Sequence, residues 1–336
     1  MRLEMSETAA FASLIAALTS RLFYGLTLDA ADAANAGWLA ALVGLALSLP
    51  PVWLICRLRP PVRRALDAPL LIGLALDAAC AVECAAYSES CLAFNHVAPA
   101  FLMLPLLAAI LRCTWLGGDA LGGAARIWIR LFAALMLIVM LYQLPYYNPG
   151  WLRPWLGAGG GGILRDGVRA AGWNVLLAGS AADICREGMG FKRLLRGLMI
   201  STAVAAGLVA LRQMMAPAFT AEAVTRFTRI DTLLTNGRAP LYLQLPMTVA
   251  WFGGMLHLMC FESIAACALL RRLLPNARAG ACMAIGLSAV FVLALFRVPR
   301  AGLFLRFMPY LYHALAAIAL TLWLVKGGEA TCAASS

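Results

Sequence analysis

Apolar residues run along this chain in long stretches, and the polar residues between them fall in short clusters. The stretches lack the strict alternation of half-buried strands and are too long for buried ones, so they predict helices. A hydrocarbon core of ~30 Å takes ~20 apolar residues per helix. On that scale the pattern predicts membrane spans at about 8–28, 37–56, 69–93, 97–115, 127–146, 168–186, 194–214, 245–270, 281–297 and 304–325. The expectation is an all-α integral membrane protein: one membrane-embedded domain over residues 1–336 with about ten transmembrane helices. The longest connections are about 147–167 and 215–244. Within the second, residues 218–238 read as an amphipathic helix lying on the membrane surface. The run Gly157-Ala158-Gly159-Gly160-Gly161-Gly162 matches GxGxxG, but it follows a Trp/Pro-rich stretch and not a strand, so it predicts a flexible loop.

Composition sharpens the same picture. Hydrophobic residues make up 63% of the chain and charged residues 13%, with a mean hydropathy of +0.83. Soluble domains are roughly 45–50% apolar and about 25% charged, so lipid has to solvate the excess. The N-terminal Met1-Arg2-Leu3-Glu4-Met5-Ser6-Glu7 leads into an apolar run without a small-residue cleavage site, which predicts a retained first span and not a signal peptide. The ten cysteines mostly sit inside apolar runs and read as small buried thiols. The net charge of +11 does not point to nucleic acid, because the basic residues lie in short loops between apolar runs. Arg57, Arg59, Arg63, Arg64, Arg126, Arg186, Lys192, Arg193, Arg196, Arg271, Arg272 and Arg278 all fall on one side when the N-terminus is inside. The positive-inside rule then predicts both termini cytoplasmic.

Charged groups within the apolar runs carry the candidate chemistry, since each costs roughly 2.5–3.5 kcal/mol to insert at mid-membrane. They are Arg21 in span 1, Asp77, Glu83 and Glu89 in span 3, Asp183 in span 6, His257 and Glu262 in span 8, and His313 in span 10. Asp77, Glu83 and Glu89 are six apart, about 240° in turn, so they cannot share one helix face. Depth places Arg21, Glu83 and His257 near the middle of the membrane. Thr19-Ser20 in span 1 and Gly179-Ser180 in span 6 are expected to interrupt their helices and expose backbone groups to a ligand. The candidate ligand-binding set is therefore Thr19, Ser20, Arg21, Glu83, Gly179, Ser180 and His257, with Arg21 meeting a carboxylate, Glu83 balancing charge or meeting an ammonium, and His257 tuning the pocket. Neither a metal motif nor a cofactor motif is present. No Ser/His set, paired aspartate motif or His-Glu-x-x-His helix suggests an enzyme.

Some segments resemble a known family. Leu152-Arg153-Pro154-Trp155-Leu156-Gly157-Ala158-Gly159, between spans 5 and 6, is similar to the Leu-(x)-Pro-x-Leu-x-x-Gly element of the B subunit of GerA-type spore germinant receptors. Ala36-Gly37-Trp38 opening span 2, Gly117-Gly118-Asp119-Ala120-Leu121 between spans 4 and 5, and Trp251 in span 8 add to the resemblance, which covers most of the chain. Arg21 stands where that family's first span carries small residues. The family belongs to the amino acid–polyamine–organocation superfamily. The resemblance implies a LeuT-like 5+5 inverted repeat with broken helices 1 and 6, and a central site shared by spans 1, 3, 6 and 8. It also implies a permease-like subunit in the cell membrane or inner spore membrane that binds a small nutrient germinant beside A-type and lipoprotein C-type subunits. The alternative within the superfamily is a secondary transporter of amino acids or polyamines.

Overall fold

A computed structural model describes residues 3–25, 33, 36–58, 60–92, 98–153, 159–186, 188–214, 241–295 and 301–326. Among them ten long helices form one bundle: α1 (Glu7–Gly25), α2 (Gly37–Arg57), α3 (Asp67–Leu92), α4 (Pro99–Leu116), α5 (Gly118–Gln143), α6 (Gly159–Ile184), α7 (Phe191–Gln213), α8 (Leu241–Leu273), α9 (Ala279–Leu295) and α10 (Ala301–Lys326). No strand occurs among the described residues; the nearest thing is a single bridge between Met5 and Cys185. Six helices, α2, α3, α5, α7, α8 and α10, are by themselves long and apolar enough to cross a membrane, and α4 and α9 hold shorter apolar stretches. The chain is an all-helical membrane protein.

Local chemistry sets the helix boundaries. A single residue, Gly117, separates α4 from α5 with φ of 95°, a left-handed conformation that favours glycine, and its N–H bonds back to the Thr114 carbonyl. Proline inside α2 is repaired from outside the helix. Pro51 has no N–H for the Leu47 carbonyl one turn back, and the Tyr312 hydroxyl of α10 donates to that oxygen at 2.8 Å.

α1, α3, α6 and α8 form the centre. α6 is buried along almost all of its length from Gly162 to Ile184, so it tolerates Asp166, Asn174 and Asp183 without meeting lipid. Around the centre, α4, α5, α9 and α10 turn large apolar side chains outward, among them Phe101, Leu131, Leu137, Val292 and Leu324. Such faces suit hydrocarbon and not water. Contacts between helices recur five helices apart. α1 packs on α5 as α6 packs on α10, α3 on α4 as α8 on α9, and α4 on α8 as α9 on α3. α1 with α6, α2 with α7 and α3 with α8 pair directly.

One end of the bundle collects the arginines. There Arg193 pairs with Glu7 at 2.5 Å, and Arg186 lies 3.7 Å from both Glu4 and Asp119. The segment before α1 is held at this end by two backbone bonds: Met5 N–H to the Ile184 carbonyl and Arg186 N–H to the Met5 carbonyl, each 2.9 Å. Trp53 near the end of α2 meets Trp323 near the end of α10 at 6.3 Å between rings, so both the first and last helices have their chain-terminal ends on this side.

Three expectations need correction or fall out of view. α1 and α6 run unbroken through Thr19-Ser20 and Gly179-Ser180. The reason is local: the Ser20 hydroxyl donates to the Ala16 carbonyl at 2.6 Å and the Ser180 hydroxyl to the Leu176 carbonyl at 2.7 Å, so each serine bonds within its own helix. The glycine run is not a loop from Gly159 onward, because Gly159–Gly162 form the first turn of α6, entered through a left-handed φ of 72° at Gly159. The expected surface helix at 218–238 lies outside the described residues, as do residues 154–158 of the family-like element.

Close approach of α1 and α5 depends on Gly122, where any Cβ would overlap the backbone of Ala9, while a Cβ on neighbouring Gly123 meets nothing within 4 Å. Gly122→Ala should therefore lower the melting point of the purified protein, costing about 1–3 kcal/mol, whereas Gly123→Ala should not lower it. Equal melting points for the two variants would contradict this packing.

Candidate functional site

The centre of the bundle holds a chain of polar contacts. Arg21 is buried, and its guanidinium carbon lies 4.1 Å from the centre of the Trp173 ring. Trp173 is fully buried and donates its indole N–H to Asp77 Oδ1 at 3.0 Å. Glu262 of α8 lies near Asp77, and both carboxyls have no exposed surface. The line runs from α1 through α6 to α3 and α8. At 1.5 Å per residue from the arginine-rich end, Asp77, Trp173 and Glu262 sit ~15 Å up their helices and Arg21 ~20 Å. A guanidinium over an indole face gains cation–π attraction, which is stronger where water is absent.

Arg21 faces a narrow cleft between α1, α2, α6 and α7 of about 30 Å³, lined also by Ala40, Asp166, Ala170, Asn174, Ser201 and Thr202. Asp166, Ala170 and Asn174 recur every four residues, so α6 presents them on one face. Small side chains on α2 and α6 keep the walls close. The Ser201 hydroxyl oxygen is buried and has no hydrogen-bond partner among the described residues. At the end away from the arginines, Asp166 accepts from the Ala33 N–H at 2.7 Å and from Arg169 at 2.6 Å, tying the α1–α2 connection to α6.

The arginine-rich end is closed by a denser ionic cluster. Asp183 at the end of α6 pairs with Arg63 at 2.6 Å and with Arg272 of α8 at 3.3 Å. Arg272 also reaches Asp67, the first residue of α3, at 3.4 Å. Both aspartates are buried while the arginines keep partial access to solvent. A cavity of about 660 Å³ bordered by Glu4, Arg186, Arg271 and Arg272 opens beside them.

Of the residues expected at the site, the structure brings Arg21 alone to the cleft. Thr19 points the other way, into an apolar groove of about 420 Å³ between α1, α5 and α7. Ser20 and Ser180 bond within their helices, and Gly179 packs at 3.5–3.6 Å on Leu70 and Ile55. His257 hydrogen-bonds to the backbone of Ser13, which ties α8 to α1. Glu83 lies half-buried on α3, close to Cys80. Two residues at the centre, Asp77 and Glu262, stood out in the sequence as intramembrane charges but were not assigned to the site. Trp173, Ser201 and Thr202 carried no signal, because an aromatic or hydroxyl residue in an apolar run is ordinary.

No protein-family model matches the sequence, and no curated protein matches it. The fold does have solved counterparts. It is similar to crystal structures of a manganese transporter from Eremococcus coleocola: a histidine-to-alanine mutant at TM-score 0.55 and 12% identity, and a glutamate-to-alanine mutant at 0.55 and 13%, each match covering 95% of this chain and 76% of that one. The same transporter bound to an aromatic bis-isothiourea substituted compound aligns at TM-score 0.54 and 12% identity, over 94% of this chain and 76% of that one. At such identities the likeness is one of fold. The chain has a membrane-transporter fold.

The two kinds of ion pair at the arginine-rich end should behave differently. Asp183→Ala leaves Arg63 and Arg272 facing an empty buried site and should cost about 3–5 kcal/mol. Arg186→Ala removes only long, solvent-exposed contacts and should cost about 0–1 kcal/mol. Thermal melts of the two purified variants against the parent measure the difference, and similar melting points would contradict the burial of Asp183.

Proposed function

We propose that this chain is a permease-like solute-binding membrane subunit that recognises a small molecule through its carboxylate, with Arg21 as the anchoring cation. The observation that carries the reading is the buried guanidinium facing a cleft that also holds Asn174, Thr202 and a Ser201 hydroxyl without a hydrogen-bond partner among the described residues. Arginine presents planar, paired N–H donors suited to a carboxylate, and a buried hydroxyl without a partner is costly unless a ligand or water satisfies it. The cleft has room for only one or two waters as it stands, so this conformation is closed and a solute enters when α2 and α7 part from α1 and α6.

The pairing of helices five apart, in a bundle of transporter fold, supports a 5+5 inverted repeat, in which α1 and α6 occupy equivalent central positions. The arginine-rich end, where the first and last helices have their chain-terminal ends, faces the cytoplasm under the positive-inside rule. Together with the family-like elements around Trp38, Gly117 and Leu152, this supports a GerA-type germinant receptor B subunit that binds an amino acid germinant beside A- and C-type subunits. The second reading, a secondary transporter of amino acids, is favoured by the transporter fold itself. Manganese, the substrate of the structural counterparts, does not suit this site. Among the described residues no three His, Cys, Asp or Glu gather to hold a metal, and Arg21 would repel a divalent cation at the cleft.

The test is ligand-dependent thermal shift of the purified chain with L-alanine, L-valine, L-asparagine and L-glutamate, beside glucose and the matching decarboxylated amines. At least one amino acid should raise the melting point while its amine does not. Arg21→Gln should abolish that shift, and Ser201→Ala should weaken binding about three- to tenfold, as expected for loss of one hydrogen bond. A shift retained in Arg21→Gln would overturn the reading. Counterflow uptake of the bound amino acid into liposomes then separates transporter from receptor.

A further inference from the structure

The Gly117-Gly118-Asp119 element takes no part in the Arg21 cleft, and its neighbours show what it holds instead. Residues 3–6 cross the arginine-rich end of the bundle before α1 begins. Met5 is fully buried and is bonded through its N–H to Ile184 and through its carbonyl to Arg186, at the end of α6. The Ser6 N–H donates to Asp119 Oδ1 at 2.8 Å. Gly118 leaves the room for this path: a Cβ there would overlap Met5 Cγ and lie 3.2 Å from the Glu4 carbonyl oxygen and 3.3 Å from that of Leu3. Leu3 packs with Cys267 of α8 and Met283 of α9. This short segment thus ties α5, α6, α8 and α9 together at one end.

The tie can open without unfolding the helices it joins. Arg186 meets Glu4 and Asp119 only at 3.7 Å, in exposed pairs that contribute little. A short extended segment held by a few hydrogen bonds opens locally at far lower cost than a packed helix. Beside Leu3 and Glu4 lies the cavity of about 660 Å³, so the segment has room to move aside. We propose that residues 3–6 are a detachable strap, seated on Gly118 and Asp119, whose release opens the arginine-rich end of the bundle between α6 and α8. Release also uncouples α1 from α6 at that end, the freedom that a tilt of either central helix requires.

Two native thiols report the state of the strap. Cys185 is the bridge partner of Met5, and Cys267 lies against Leu3; both are buried while the strap is seated. Once it leaves, both meet water and become open to a thiol reagent. Cys80 of α3 and Cys260 of α8 are also buried, but they lie ~18–20 Å from that end along their helices, so release of the strap leaves them protected.

The test treats the purified full chain with N-ethylmaleimide and follows each cysteine separately by mass spectrometry. In the unmodified chain Cys185 and Cys267 should label faster than Cys80 and Cys260; all four equally inert would overturn the strap. Gly118→Ala, which pushes Met5 from its seat, should speed Cys185 and Cys267 by the same factor, about tenfold or more, since the rate follows the released population. Gly123→Ala, on the same helix but facing open space, should leave both rates unchanged. Asp119→Ala, which removes the acceptor of the Ser6 N–H, should act as Gly118→Ala does and decides the matter if Gly118→Ala also exposes Cys80 and Cys260 by unfolding. Unchanged rates at Cys185 and Cys267 in a folded variant, or a rise at only one of them, would overturn the proposal. The strap does not depend on the solute: if no amino acid in the thermal-shift panel binds, the carboxylate reading of Arg21 fails and the labelling still decides the strap.

Discussion

A permanent positive charge at the centre of a membrane protein has to be neutralised where water is scarce, and the arrangement around Arg21 follows from that constraint. The guanidinium lies on the face of Trp173, and the same indole gives its N–H to Asp77. One aromatic ring thus joins the cation to the acid that balances it. Because the three residues come from α1, α6 and α3, the charge balance also sets how those helices pack. Glu262 adds α8 to the set. The four helices that meet there are among the more deeply buried of the bundle, α3 and α8 above all.

Much of the architecture was legible in the sequence, and for a simple reason. Apolar length is set by the thickness of the bilayer, so each predicted span corresponds to a helix, with ends displaced where polar residues continue the helix beyond the apolar run. α6 begins at Gly159, nine residues before the apolar run expected at 168, because Asp166 and Arg169 pair with each other within the helix and do not end it. Helix interiors were harder to read. Thr19-Ser20 and Gly179-Ser180 suggested interruptions in α1 and α6, but a serine that bonds to the carbonyl four residues back leaves a helix intact.

The site was legible in part. Insertion cost singled out Arg21, Asp77, Glu83, His257 and Glu262, and depth alone could not say which of them meet. Contact depends on helix rotation, which apolar runs on all sides of a helix do not encode. Six residues separate Asp77 from Glu83, so one turns towards Trp173 and the other elsewhere on α3. Trp173 itself was invisible as a functional residue, since its role comes from what lies on either side of its ring and not from its chemical type.

The clasp between the residues before α1 and those after α6 has a mechanical meaning. Met5 is stitched to Ile184 and Arg186 by backbone bonds that carry no dependence on side-chain identity. While they hold, the start of one central helix and the finish of the other are a single joint. A tilt of either helix alone would strain these two bonds, so the clasp couples α1 to α6 at that end.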